Sequence, residues 1–393
     1  DIIDVISDYI QLNKKGINYF GLCPFHKEKT PSFSANRNKQ IYKCFGCGVG
    51  GGPINFIMEI EKINFVDAIK MLAKKYTIDL DIKNINKNFE SIKQQLYNIH
   101  EDALNYYQKY LFLEKNKYVL NYLHDRGFNL DVIKNFQLGF ASLEKQNLLH
   151  YLQKKGYNGK TLKESGLFID SEKGYSDRFR NRIIFPISDS IGRAVGFAGR
   201  ALKDGSFAKY LNSPETAIYK KGSIFYGMNI TKHHILESKA SIIVEGYFDF
   251  LKLYQHGIKN VLAVSGTAFT NQHALIIKRL SELVYLMYDG DDAGNKASIK
   301  AGYILLKNGL SPKIVSIPDN LDPDDWVQKV GANIVLEKIK NSDDVITCEY
   351  NRNIDNLKDE SAQTLFINRI LTELNEIEDE ILKRLYIKKI SEL

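Results

Sequence analysis

The chain has 393 residues, of which 44% are hydrophobic, and 54 Lys/Arg against 47 Asp/Glu give a formal net charge of +7. This length suits two to four domains with ample cores, and the composition excludes collagen-like and wholly disordered classes. No run of 18 apolar residues offers a transmembrane helix, and four cysteines in so long a chain argue against a disulfide framework.

The chain opens at Asp1 with neither Met nor a signal-like apolar stretch, so a cytoplasmic protein whose start is missing is expected. Residues 1–78 carry the first motif. Cys23-x2-His26 is followed by 17 residues and then Cys44-x2-Cys47. Each short pair supplies two ligands from one turn, and the segment between folds back as a hairpin, the arrangement a tetrahedral zinc ion needs. Protein fills all four positions, so one structural Zn²⁺ is expected. Gly46 and Gly48 permit tight turns beside the ligands. From Lys14 to Lys43 there are seven Lys/Arg against one Glu. Lys27, Lys29, Arg37, Lys39 and Lys43 alternate with Phe25, Phe33, Tyr42 and Phe45. Cations interleaved with aromatics suit single-stranded nucleic acid. The lysines are read as phosphate contacts, and Phe33 and Phe45 as cover for a small metal-centred core. INFVDAIKMLAKKY has helical apolar spacing and closes the module. Residues 79–90, polar and rich in Asn and Lys, read as a linker.

Residues 91–236 begin with helical patterns (QQLYNIHEDALNYYQKYLF) and pass into RIIFPISDSIGRAVGFAGR, where two apolar runs flank SDSIG as in a hairpin. Nine Lys/Arg face three Asp/Glu between Arg178 and Lys221, a local excess that points to a polyanion. From residue 239 the rhythm changes. ASIIVEG, NVLAVSG, LVYLMYDGD and KIVSIPD are short apolar runs spaced by helical segments, which predicts a parallel sheet. Residues 340–393 read as helices. No repeat of 20–50 residues is visible.

Ligands bind at the carboxyl ends of parallel strands, and here those ends are acidic. IIVEGYFD places Glu245 at one strand end and Asp249 a helical turn on. LMYDGDDAG places Asp289 and Asp291 at another, and SIPDNLDPDD places Asp322 and Asp324 beyond a third, near Asp319 and Asp325. Such a rim repels itself without cations and suits Mg²⁺ or Mn²⁺ with substrate phosphates. GDDAGNKAS fails the G-x4-G-K-[ST] pattern, which discards a Walker-type ATPase.

Together these residues resemble the bacterial replicative primase family of DnaG type. CPFHKEKTPSF and YKCFGCG resemble its zinc-binding domain. RFRNRIIFPISD, GRAVGFAGR and KYLNSPET resemble the basic part of its RNA polymerase domain, and VEGYFD and YDGDDAG its TOPRIM fold. The resemblance covers nearly the whole chain in order. It implies a multidomain fold: a zinc ribbon (1–78), a linker (79–90), an α+β basic subdomain (91–236), an α/β TOPRIM parallel-sheet core (237–335) and a helical subdomain (336–393). It implies DNA-dependent synthesis of short RNA primers from NTPs on single-stranded DNA, with metal-assisted nucleotidyl transfer. Glu245, Asp289 and Asp291 are the implied principal metal-site carboxylates, with Asp249, Asp322 and Asp324 in support. Glu245 is open between metal ligand and general base. Arg126, Arg178, Arg182, Arg200, Lys209, Asn212 and Lys221 fall on its template- and nucleotide-contacting positions. Arg178 and Arg182 could grip phosphates in bidentate fashion, and Asn212 and Ser213 could bond phosphate or sugar oxygens. Tyr210 is open between core packing and a nucleotide contact. Implied partners are the template, NTPs, the RNA–DNA hybrid and a replicative helicase, met through a C-terminal domain absent from this chain. A monomer at the replication fork, without membrane contact, is expected.

One departure is GGGPINF, where the family often has Asp at the position of Gly52; this puts the cap of the next helix in doubt. Cys348 reads as a buried thiol, and His233 and His234 receive no role. A topoisomerase-like strand-cleaving enzyme and a non-catalytic zinc/TOPRIM recombination mediator are the alternatives. The mediator leaves RFRNR and KYLNSPE unexplained.

Overall fold

The computed structural model describes residues 1–393 apart from 27, 29, 62–64, 79–91, 173, 203–207, 319–320 and 393, and it describes residues 66, 67 and 70 without their side chains. The expected linker, the hairpin cations Lys27 and Lys29, and Asp319 therefore lie outside the described residues. The chain forms two compact units, Asp1–Glu90 and Ser91–Leu393.

In the first unit, five short strands pair antiparallel in sequence order: β1 (Asn13–Lys15), β2 (Asn18–Gly21), β3 (Phe33–Asn36), β4 (Ile41–Cys44) and β5 (Gly50–Gly51). Side chains alternate across a strand. In β4 this sends Tyr42 and Cys44 inward and Ile41 and Lys43 outward. Phe33 stacks on Tyr42 with ring centres 5.2 Å apart, and Phe56 meets Tyr42 edge-on. Helix Ile2–Ser7 adds Ile2, Ile3, Val5 and Ile6 to this core. Phe33 thus covers the core as expected, but Phe45 does not: it is 72% exposed. It lies just past β4, in the exposed turn of the second knuckle, where Lys43 lies 5.8 Å from its ring centre. The helix Pro53–Glu61 starts without a side-chain acceptor at Gly52. Pro53 opens it, where no N–H is required, and the Asn55 side-chain oxygen accepts the Gly52 N–H at 3.3 Å.

The second unit holds two larger sheets and the hairpin of β7 (Phe168–Ser171) and β8 (Gly174–Asp177). The antiparallel sheet has the order β11–β10–β9–β6, from β6 (Gly139–Ala141), β9 (Arg182–Ser188), β10 (Ala194–Ala201) and β11 (Tyr210–Asn212). The hairpin expected around SDSIG is β9–β10, with Phe197 opposite Pro186. The other sheet has the order β13–β12–β14–β15–β16. In it β12 (Ala240–Val244), β13 (Val261–Ala263), β14 (Leu283–Leu286) and β15 (Ser311–Ile314) run parallel, and β16 (Asp343–Asp344) is antiparallel at the edge.

Every residue of β12 is buried, as a strand covered on both faces requires. Ile242 and Val244 enter a core that also contains Phe185 and Ile187 of β9, Val195 of β10, and Phe248 and Trp326. Ile243 faces the opposite core, with Ile277 and Leu305. The two sheets therefore share one apolar cluster, and the carboxyl ends of β12 and β14 open toward β10 and β11. Helices Val345–Asn353, Glu360–Asn375 and Glu380–Glu392 follow β16; Ile346, Cys348, Ile370 and Leu374 pack into the second core. Among the described residues no helix is long and apolar enough to cross a membrane.

Candidate functional site

In the first unit, ligand atoms of Cys23, His26, Cys44 and Cys47 all lie within 4.8 Å of one another. Cys23 and Cys47 sulfurs are 3.8 Å apart, and Cys44 Sγ is 3.8 Å from His26 Nδ1. Metal–sulfur bonds of ~2.3 Å in a tetrahedron put sulfurs ~3.8 Å apart, so the quartet fits one zinc ion. The Phe25 and Cys47 backbone N–H groups each donate to a cysteine sulfur, Cys23 and Cys44 respectively, at 3.4 Å. Glu28 completes the surroundings. It accepts the N–H of Cys23 at 2.7 Å, receives Ser32 Oγ–H, and faces His26 Nε2 at 3.2 Å. A carboxylate on the far nitrogen orients a ligating imidazole. Sequence reasoning missed Glu28, because an acid between two lysines reads as a solvated turn.

In the second unit, a cavity of about 650 Å³ lies over the strand ends. One wall carries Glu245, Asp249, Asp289, Asp322 and Asp324, and another carries Arg126, Arg200, Lys209 and Asn212. The carboxylates divide by what they already hold. Asp249 accepts the Gly246 N–H at 3.0 Å and the Asp324 N–H at 3.3 Å, so it clamps the starts of helices Tyr247–Gln255 and Pro323–Val330. Asp322 caps the second of these through the Asp325 N–H at 2.7 Å. Asp291 caps Asp292–Lys307 through Gly294 N–H, also at 2.7 Å. Asp324 is 1% exposed; it takes Arg126 Nη2 at 3.1 Å and Gln328 Nε2 at 2.7 Å. By contrast, Glu245 Oε1 and Asp289 Oδ1 are buried without a hydrogen-bond partner.

Buried, unpartnered acceptors beside other carboxylates are costly. Burial, then Asp289 and Asp291, push Glu245 up to about 7. Burial, then Asp322 and Asp291, push Asp289 up to about 6, and Lys209 opposes this. Burial, then Asp322, Asp289 and Asp324, hold Asp249 well above the usual carboxylate range. Two bare oxygens from hard ligands, crowded by further acids, fit a divalent cation. Gly290, between the two aspartates, is needed where it stands: a Cβ there would collide with the Pro318 carbonyl.

The basic wall is built on aromatics. Arg126 and Arg200 guanidiniums approach the Phe248 ring at 4.7 and 4.8 Å from its centre. Arg200 donates to Tyr210 at 2.9 Å and Tyr122 at 3.4 Å. Tyr210 packs against the core and also lines the cavity. Asn212 bonds the Ser265 carbonyl at 2.9 Å and receives Tyr247 Oη–H at 3.1 Å. Its amide fastens the loop after β13, where Ser265 and Gly266 are left-handed.

Three residues of the basic set lie off the cavity lining. Arg182 is buried and donates to the carbonyls of Gly199 at 3.0 Å and Lys209 at 3.4 Å, so it ties strands together. Arg178 is half-buried with Nε on the Asn212 carbonyl at 3.2 Å. Lys221 lies on the short turn Lys221–Ser223. Sequence reasoning also missed Lys252 and Lys300. Lys300 lines the cavity from helix Asp292–Lys307; Lys252 sits one turn beyond Asp249, fully buried. Burial lowers the Lys252 ammonium, and Asp324 opposes this.

A ligand-gathering ribbon and a parallel sheet with an acidic rim beside a basic wall define a zinc-ribbon protein with a Toprim-type core. Family models agree along the chain: CHC2 zinc finger over residues 1–88, DNA primase catalytic core N-terminal domain over 106–232, and Toprim-like over 242–327. The chain is 42% identical to a DNA primase of Clostridium acetobutylicum and 38% identical to one of Halalkalibacterium halodurans, covering 100% of this chain and 66% of each relative. It therefore spans just under two thirds of the length of these curated relatives. Among solved structures, the zinc-binding and RNA polymerase domains of Aquifex aeolicus primase match at 34% identity and TM-score 0.68, covering 99% of this chain and 93% of that one. A DnaG primase catalytic domain bound to single-stranded DNA matches at 30% identity and TM-score 0.69, over 77% of this chain and 99% of that one. The chain belongs to the DnaG-type primase family.

Proposed function

We propose that this chain makes short RNA primers on single-stranded DNA, as a DNA-directed RNA polymerase. The observation that carries this reading is the single cavity in which Glu245 and Asp289, with bare oxygens, stand near Arg126, Arg200 and Lys209. In the reaction a ribonucleotide 3′-hydroxyl gives up its proton to water, and its oxygen bonds to the α-phosphorus of an NTP. The bond from that phosphorus to the β-bridging oxygen breaks, and pyrophosphate leaves. Arg126, Arg200 and Lys209 hold phosphate oxygens and counter their charge. Glu245, Asp289 and Asp291 supply the ligands for Mg²⁺ or Mn²⁺, with Asp322 at the rim. When bound, such an ion neutralises charge developing on the phosphates. Asp249 and Asp324 act by holding helix starts and Arg126. The zinc ribbon serves template selection through Arg37, Lys39, Lys43 and the exposed Phe45. A replicative helicase is met by a segment beyond these residues.

The test is incorporation of labelled ribonucleotides on single-stranded DNA with Mg²⁺. Short RNA products support the reading. A covalent DNA–protein adduct without RNA supports the strand-cleaving alternative, and neither product leaves the mediator.

A further inference from the structure

The most unusual buried group outside the reacting set is Lys252. It is 0% exposed and projects from helix Tyr247–Gln255, which follows the Glu245 strand end. An unpaired lysine is almost never buried in this way. Its ammonium donates to the Arg126 carbonyl at 2.5 Å, lies 3.7 Å from Asp324 Oδ1 and sits 4.1 Å from the Phe128 ring centre. The same helix grips the next residues: Gln255 donates to the Gly127 carbonyl at 2.8 Å and accepts the Asn129 N–H at 2.9 Å. Gly127 is left-handed (φ +77), and a Cβ there would stand 3.0 Å from Lys252 Nζ. The turn bearing Arg126 is thus fastened to the helix behind the carboxylates.

The charges matter as much as the clasp. Asp324 is the ion-pair partner of both Lys252 and Arg126. One carboxylate shared by two cations leaves the group with a net charge of about +1. The Arg126–Asp324 pair is closed at 3.1 Å, and without Lys252, 3.7 Å from the same carboxylate, it would carry no net charge.

We propose that Lys252 is a positioning residue that fixes the Arg126 turn and adds a second positive charge beside Asp324, so that the Arg126 guanidinium, though paired with Asp324, keeps its pull on phosphate oxyanions in the cavity. This rests on the reading of the cavity given above and deepens it. Arg126 Nε, buried and without a partner, is consistent with a guanidinium whose hydrogen bonding is completed by a ligand.

The test uses the whole chain in buffer without added divalent ions. Affinity is measured for inorganic tripolyphosphate and, separately, for a labelled oligodeoxythymidylate. Arg126→Ala and Lys252→Met should each weaken binding about tenfold, the loss of one charge-assisted contact. The double variant should be no weaker than Arg126→Ala alone, because Lys252 acts through Arg126. In steady state the Lys252→Met change should fall on KM, for NTP or for template according to which probe is lost, and leave kcat nearly unchanged. A loss confined to tripolyphosphate assigns Arg126 to the nucleotide; one confined to the oligonucleotide assigns it to the template. Near-ultraviolet circular dichroism checks folding. If Lys252→Met fails to fold, Gln255→Ala loosens the same clasp and should give a two- to threefold loss, absent when Arg126 is Ala (about 0.5 kcal/mol). The inference is overturned if Arg126→Ala weakens binding and Lys252→Met does not, or if the two losses multiply. Unchanged binding in Arg126→Ala alone instead removes Arg126 from the proposed phosphate site.

Discussion

In the Cys/His cluster every ligand atom lies within 4.8 Å of the others, and backbone N–H groups, Ser32 and Glu28 surround the sulfurs and the imidazole. In the carboxylate cavity the acids ring a space of about 650 Å³, and Glu245 and Asp289 each keep one buried oxygen without a partner. The first arrangement is closed, with every tetrahedral position filled by protein; the second leaves room for substrate. Closure suits a metal that holds a fold, and openness one that works on a ligand. The surroundings differ to match. The first unit has a small core, whereas the second has three buried apolar clusters.

That contrast sets opposite expectations for loss of ligands. The largest effect is expected at the open site. Asp289→Asn or Asp291→Asn should cut primer synthesis by at least ~100-fold, while the thermal midpoint of the second unit holds or rises, since carboxylate repulsion is relieved. Ribonucleotide incorporation and a thermal melt check both. Near-normal synthesis from either variant at low millimolar Mg²⁺ removes that residue from the metal set.

Next comes the closed site. Structural zinc supplies ~10–16 kcal/mol of folding free energy in small modules, so chelation should unfold Asp1–Glu90 and leave Ser91–Leu393 folded. Limited proteolysis with elemental analysis reads this. A zinc-free preparation whose first unit resists protease would break the contrast.

The smallest effect concerns pH in divalent-free buffer. Glu245 at about 7 and Asp289 at about 6 lie above their ordinary values. A raised carboxylate contributes stability that is complete below its unfolded pKa and lost as pH rises through the folded one. The melting temperature of the second unit should therefore fall modestly from about pH 5 to pH 8. Mg²⁺ should reverse the fall, and Asp289→Asn should blunt it. A flat profile with unchanged response to Mg²⁺ contradicts the bare-oxygen picture.

Much of this was legible in the sequence because spacing carried it. Two-residue knuckles announce a metal whatever their surroundings. Strand-end acids announce a rim once the parallel sheet is read, and SDSIG announces β9–β10. What spacing does not carry is which polar group is already occupied. Arg182 looks like its neighbours in RFRNR, yet its guanidinium goes to the carbonyls of Gly199 and Lys209. Asp249 and Asp324 look like Asp289, yet they hold backbone N–H groups and cations. Lys252 has no motif; its partners, Arg126 and Asp324, are distant in sequence and meet it only in the fold. Phe45 lies just past β4, in the exposed turn of the second knuckle, and its aromatic type says nothing of which side it takes.

The most direct test strips zinc from the whole chain and supplies Mg²⁺, then compares extension of a pre-annealed RNA primer with initiation on bare single-stranded DNA. If the open site performs the chemistry and the closed site serves the template, extension should persist near its zinc-loaded rate while initiation collapses. Extension that disappears with the zinc, and returns only when zinc is restored, would contradict that division.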